Sequence, residues 1–388
     1  MNRRDILKLS GTLFAGAIFT RGLAATQTLE SIAELGLPTT VDKTPLYLHY
    51  NENSLGLSKK AQQAIIDIIP SANRYPDAYI EELQQTIADS YQMKTSQVTL
   101  GVGSSDVIRA IINKLGVQAL QKGQKIQFIT PNPTFFLAAD HAEGIGIPVV
   151  MVPLNEKYEM DLNKMKQAAD NFDGLSICYL CNPNNPTGTL TSSASIEKWV
   201  KTANADKTFF MVDEAYAEYI TDPSFVSGTQ FVQEGMDNVI VLRTFSKIFA
   251  MAGMRVGYGL ATEKLTKELA TFMSILNINI TAAVAGIASL KDKQFLADSL
   301  AMNSNSLAIT TSTLDALGLE YLPSQGNFVF HKITGDPQKY MERMEEAGIL
   351  VGRPFPPLTQ WSRVSLGTPE EMTRFTATLK DFRKKGWV

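Results

Sequence analysis

Two cysteines in 388 residues leave no disulfide framework, and three histidines (His49, His141 and His331) are too few and too scattered for a multi-histidine metal site. Net charge is nearly absent: 36 Lys and Arg against 39 Asp and Glu give 36 − 39 = −3, with no basic footprint for nucleic acid. Charged residues make up 19% and hydrophobic ones 44%, a globular balance that excludes long disorder. No apolar run is long enough to span a bilayer, and no internal repeat or low-complexity tract interrupts the chain. Cys178 and Cys181 fall in a strand-like run where their spacing turns the side chains to opposite faces, so both read as buried free thiols. What remains is a globular protein long enough for two domains, or three if its ends are independent.

The first residues, MNRRDILKLSGTLFAGAIFTRGLAA, place Arg3-Arg4 ahead of a modest apolar run from Leu13 to Phe19 and small residues through Ala25. That layout is an export signal, and the paired arginines resemble the bacterial twin-arginine type. The expectation is a periplasmic protein that meets a membrane only through this signal. An amphipathic arm kept on a cytoplasmic protein is the alternative.

From Gln97 onward, apolar runs alternate with helical patterns. Gln97–Val102, Lys125–Thr130, Leu175–Cys181, Thr208–Asp213, Asn238–Leu242 and Arg255–Leu260 read as short buried strands. Segments such as Asp106–Leu115 and Ser193–Ala203 between them carry helical spacing. This rhythm predicts an α/β fold, a mostly parallel sheet sandwiched by helices, with ligands at the carboxyl ends of the strands. Past Leu276 the rhythm changes: one helical stretch from Thr281 to Leu317, then strands at Asn327–Lys332 and Ser362–Leu366, predict a smaller α+β C-terminal domain. Thr368-Pro369-Glu370-Glu371 supplies an N-cap, a first-turn proline and a capping carboxylate for a last helix.

The chemistry gathers at strand ends. Gly101-Val102-Gly103-Ser104-Ser105-Asp106 opens a helix, an arrangement that suits an anion, although a turn with no ligand has the same composition. Asn182-Pro183-Asn184-Asn185-Pro186-Thr187-Gly188 carries more asparagine than turning requires. Asp213, in Met211-Val212-Asp213-Glu214-Ala215-Tyr216, places a carboxylate at an interior strand end, where it needs either a cation or solvent. Lys247 follows another strand in Arg243-Thr244-Phe245-Ser246-Lys247. A lysine in so apolar a turn can lose its proton and act as a nucleophile toward a carbonyl.

Taken together and in this order, these motifs resemble the fold-type I, pyridoxal-phosphate-dependent aminotransferases of class I/II, most nearly the histidinol-phosphate aminotransferase branch. The likeness covers the chain from about Pro45 to its end. It implies a seven-stranded-type sheet and pyridoxal 5'-phosphate as cofactor. Transfer of an amino group from an amino acid to a 2-oxo acid, and a homodimer, follow as well. By that resemblance Lys247 binds the cofactor covalently and moves the proton, Asp213 holds the ring nitrogen's proton, and Tyr216 and Asn185 bond the ring hydroxyl oxygen. Ser104, Ser105 and Asp106 surround the phosphate with Thr244, Ser246 and Arg255, Phe135 covers the ring, and Tyr75 reaches the phosphate of the neighbouring subunit. Arg363 clamps a substrate carboxylate, and Asn53, Asn327 and Arg353 line the substrate side. Phe355 and the prolines after it suit an aromatic or other apolar side chain, or they stiffen a loop. The expected division is 1–25 signal, 26–75 N-terminal arm and substrate-lining segment, 76–280 cofactor domain and 281–388 small domain. A decarboxylase of the same fold, acting on an amino acid, is the alternative enzyme; a cofactor-binding protein without turnover is the alternative from another class.

Overall fold

A seven-stranded sheet in the order β2-β8-β7-β6-β5-β3-β4 organises the computed structural model, which describes residues 45–388. Its strands are β2 (Val98–Gly101), β3 (Ile126–Asn132), β4 (Val149–Pro153), β5 (Leu175–Cys181), β6 (Thr208–Asp213), β7 (Val239–Thr244) and β8 (Gly257–Leu260). Neighbours from β4 through β7 run parallel, while β8 is antiparallel to both β7 and β2. Because β8 runs the other way, its beginning lies beside the carboxyl ends of the others, which brings Arg255 to that edge. β5, β6 and β7 are buried along their whole length, as expected for parallel strands covered on both faces. The two faces carry separate apolar cores: Cys178, Leu180, Phe210, Val212 and Val241 belong to one, and Tyr179, Cys181, Met211, Ile240 and Leu242 to the other. The two cysteines are therefore free, buried and on opposite faces.

Beyond this sheet, β9 (Phe328–Lys332) and β11 (Trp361–Ser365) pair antiparallel, and β1 (Leu46–Leu48) pairs in parallel with β10 (Ile349–Val351). Leu46 and Leu48 enter one core with Val364, Phe375 and Leu379, so the start of the described chain is built into its C-terminal part. The last helix, Pro369–Lys384, begins at the expected capping box, with Thr368 and Glu371 satisfying one another's backbone N–H groups. The expected single stretch from Thr281 to Leu317 is two helices, Ile280–Leu290 and Lys293–Leu317. The break falls where Lys291 caps one helix and Asp292, paired with Lys60 at 3.1 Å, precedes the next. The residues of the expected signal lie outside the described part, in which no helix is long and apolar enough to cross a membrane.

Candidate active site

A cavity of about 490 Å³ opens at the carboxyl ends of β5, β6 and β7, walled also by the loop after β2, the start of β8, β11 and the segment after β1. Asp213, the last residue of β6, is 3% exposed. Its Oδ2 accepts from Tyr179 Oη at 2.6 Å and its Oδ1 from the Ala215 N–H at 3.1 Å. Burial raises its pKa, and the two hydrogen bonds oppose that rise. Lys247, three residues past β7, donates from Nζ to the Tyr50 carbonyl at 2.9 Å and sits 5.7 Å from the centre of the Tyr216 ring. Burial, helped by the positive charges of Arg363 and Arg255, lowers its ammonium pKa to about 8, against the pull of Glu52 and Asp213. A substantial neutral fraction near physiological pH is what a nucleophilic amine needs.

Tyr216 Oη accepts from Asn51 Nδ2 at 2.9 Å and from Asn185 Nδ2 at 3.3 Å, and burial holds it as a phenol. Arg363, 7% exposed on β11, donates from Nη1 to Asn185 Oδ1 and from Nη2 to the His49 carbonyl, each at 2.5 Å. Its Nε is buried without a protein partner. Burial brings the guanidinium down to about 10. This is a fork with capacity left for a planar anion.

The anion end is built from backbone. Gly103, at φ +74°, precedes the helix Ser104–Gln121, and a Cβ on it would lie 2.5 Å from Arg255 Nη2. A Cβ on Gly257 would lie 2.3 Å from the Ser104 nitrogen. These glycines therefore let the helix N-terminus, Arg255 and the β7 loop converge. Arg255, itself left-handed at φ +58°, donates to Ser246 Oγ at 3.4 Å and to the Ala252 carbonyl at 2.8 Å. Thr244 Oγ1 accepts from the Ser246 N–H at 3.0 Å. Unpaired helix N–H groups, two serines and a guanidinium make a phosphate cradle. With Asp213 and Lys247 lining the same cavity, the donor set fits pyridoxal phosphate.

Most residues named from sequence line this cavity: Ser104, Ser105, Phe135, Asn185, Asp213, Tyr216, Thr244, Ser246, Lys247, Arg255, Arg353 and Arg363. Arg353 stacks on Phe136 and Phe355, 4.9 and 4.6 Å from their ring centres, at the outer wall. Four do not line it: Asp106, Asn53, Asn327 and Tyr75. The Asp106 carboxylate accepts from the Val102 N–H at 3.2 Å and Asn277 Nδ2 at 3.0 Å, so it closes its own loop. Asn53 donates to the Ile248 carbonyl at 2.8 Å and Ser299 Oγ at 2.9 Å, and Asn327 donates to the carbonyls of Asn51 and Glu52 at 3.0 and 3.2 Å. Both asparagines are scaffold that fixes the segment carrying Asn51. Tyr75 lies away from this chain's cavity and is 83% exposed. Sequence reasoning missed His49, Tyr50 and Tyr179. Only Tyr179 left a signal, two residues before Cys181 and hence on the same strand face.

The family model for aminotransferase class I and II matches residues 43–379. Histidinol-phosphate aminotransferase 2 of Hydrogenovibrio crunogenus is 32% identical over 332 residues, 85% of this chain and 86% of that protein. Histidinol-phosphate aminotransferase 2 of Ralstonia nicotianae is 33% identical over 374 residues, 94% of this chain and 96% of that protein. A crystal structure from Erwinia carotovora atroseptica, of a protein whose proposed name is histidinol-phosphate aminotransferase, superposes with TM-score 0.85 and 40% identity over 89% of this chain and 97% of that one. The histidinol-phosphate aminotransferase of Sinorhizobium meliloti, solved with pyridoxal 5'-phosphate, shares the fold with TM-score 0.80 at 22% identity over 93% of this chain and 99% of that one.

Proposed function

The chain belongs to the class I and II aminotransferases and works with pyridoxal phosphate, and from that premise we propose an enzyme for amino compounds with flat aromatic or imidazole side chains. The carrying observation is that Asp213, Lys247 and the buried Arg363 fork wall one cavity that the exposed Tyr50 and Phe136 and the buried Phe355 also line. When bound, the cofactor supplies an electron sink for breaking a bond at the substrate's Cα. The chain does the rest. Lys247, with its depressed pKa, holds and returns a proton at Nζ. Asp213 keeps a proton at the ring nitrogen, and Asn185 and Tyr216 orient the ring oxygen. Arg363 orients an anionic group of the substrate, through Nη atoms already fixed by Asn185 and His49.

Relatives named for histidinol phosphate support that substrate, and Arg353 at the outer wall is the cation for its phosphate. An amino-donor screen with histidinol phosphate, aromatic amino acids, leucine and glutamate, following formation of the matching oxo product and release of carbon dioxide together, tests the reading. Aliphatic donors outpacing all flat ones, or carbon dioxide exceeding oxo product, would overturn it. Export through Arg3-Arg4 belongs to the same proposal: a twin-arginine route carries folded protein, so the cofactor can be loaded before export. Arg3→Lys with Arg4→Lys should then hold active enzyme in the cytoplasm, as fractionation would read. Two copies sharing sites through Tyr75 complete the proposal. Its failure would be full activity of a sedimenting monomer.

A further inference from the structure

Asp213 is held by a residue outside the cavity wall. Tyr179 is fully buried on β5, and its Oη donates to Asp213 Oδ2 at 2.6 Å. The parallel register explains the reach: Cys181 lies opposite Asp213 and Tyr179 opposite Met211, so Tyr179 shares the face of Asp213, one alternate position back. Its ring lies nearly parallel to that of Phe128, with centroids 6.3 Å apart, inside the apolar core that also holds Ile177 and Leu242. In that setting the hydroxyl has Asp213 as its acceptor, and a phenol lost from the pair would leave a buried carboxylate short of a donor.

Resting on the reading that Asp213 keeps the cofactor's ring nitrogen protonated, we propose that Tyr179 is the positioning residue for Asp213. Its hydrogen bond fixes the carboxylate's orientation and keeps the shared proton on the ring nitrogen. The groups that face Asp213 are Tyr179 and Cys181 from β5, Glu214, the Ala215 N–H and the Tyr216 phenol after its own strand end, and Lys247 from the loop after β7. Burial and Glu214 favour a neutral carboxyl; Tyr179, Ala215 and Lys247 oppose them, Tyr179 first among the hydrogen bonds. Tyr179 stays a phenol because burial and Asp213 push its own pKa well up. Without its hydroxyl the carboxylate becomes more basic. The proton then moves from ring nitrogen to carboxyl oxygen, with none gained or lost.

The test is Tyr179→Phe in holoenzyme loaded with pyridoxal phosphate carrying nitrogen-15 in the ring. The ring-nitrogen resonance is followed against pH beside kcat and KM. The variant should lose about 10- to 100-fold in kcat, the worth of one hydrogen bond to a buried charge, with KM changed by less than about threefold. Its ring nitrogen should turn neutral at a pH where the wild type is protonated. 3-Fluorotyrosine at position 179, a stronger donor, should restore kcat and move the titration the opposite way, which also decides the matter if the phenylalanine variant does not fold. A wild-type ring nitrogen that is neutral overturns the underlying reading of Asp213. A protonated wild type whose titration neither substitution moves overturns the role of Tyr179 alone.

Discussion

Arg243 offers the sharpest test of what fixes the floor of the site. It lies one residue before Thr244 and pairs with Glu214, one residue after Asp213, so a single buried ion pair joins the ends of β6 and β7. Its Nη2 stands 2.6 Å from Glu214 Oε2 and its Nη1 3.0 Å from Glu218 Oε1, with side chains 8%, 1% and 18% exposed. Glu214 has other donors, the Gly228 N–H at 2.6 Å and Ser227 Oγ at 2.7 Å. Glu218 relies on Arg243, and burial already pushes its pKa up. Arg243→Met therefore leaves an uncompensated buried carboxylate, which should cost about 3–5 kcal/mol of stability. The triple replacement Arg243→Met, Glu214→Gln, Glu218→Gln should cost less than the single one, because no orphaned charge remains. Urea unfolding of the cofactor-free protein measures both. The sign with pH follows: in the single variant the carboxyl of Glu218 has a folded pKa above its unfolded one, so the penalty shrinks as pH falls toward the folded value. A single variant that costs under about 1 kcal/mol at pH 8, or whose penalty is flat with pH, would refute the reasoning.

Lys247→Ala should leave a folded protein that binds the cofactor loosely, without its yellow colour, and transaminates at least about a hundredfold more slowly; absorbance and oxo-acid formation read the two effects. Gly103→Ala forces a Cβ into a left-handed residue at about 1–2 kcal/mol and crowds Arg255, so cofactor affinity by equilibrium dialysis should drop about tenfold or more. His331, fully buried with its pKa lowered to about 4 by burial, is neutral when folded. The unfolded chain gains a proton below about 6.5, so stability present above that pH is lost as pH falls toward 4, by about 3 kcal/mol; His331→Gln should flatten that slope in urea melts.

The parallel sheet was legible because β5, β6 and β7 are buried along their length and therefore read as unbroken apolar runs. β4 was not among the strands read from the sequence: it is an edge strand, half exposed and ending in a proline, so its apolar run is short and broken. β1 and β10 span three residues each, too few for periodicity to speak, and they exist because each completes the other. The break at Asp292 carries no glycine or proline, and an ion pair with distant Lys60 is not visible along the chain. In the site, Asp213 and Lys247 were legible because strand ends in a parallel sheet must face one edge. Asp106, Asn53 and Asn327 were placed in the site by sitting inside its motifs. A motif fixes where the backbone goes, and the three side chains turn back to bond that backbone. Tyr179 left only its strand face to read, because its partnership with Asp213 depends on the register between two strands.

The charges explain why these parts hold together only as a set. Among the described residues, four cationic side chains line the cavity, Lys247, Arg255, Arg353 and Arg363, against one carboxylate, Asp213, a surplus of 4 − 1 = 3. Burial drives both Lys247 and Arg363 toward their neutral forms, which is the cost of concentrating like charges away from water. That cost has opposite uses at the two residues. At Lys247 it produces a neutral amine near physiological pH, the form that attacks and the form that takes a proton. At Arg363 the shifted value still lies far above physiological pH, so the guanidinium stays charged and lends its field to Lys247. A phosphate at the glycine cradle and an anionic substrate group at Arg363 offset the surplus, and each raises the affinity of the lysine for its proton. Anion binding at Arg363 would thus make Lys247 a stronger base, the property its proposed proton-carrying role needs.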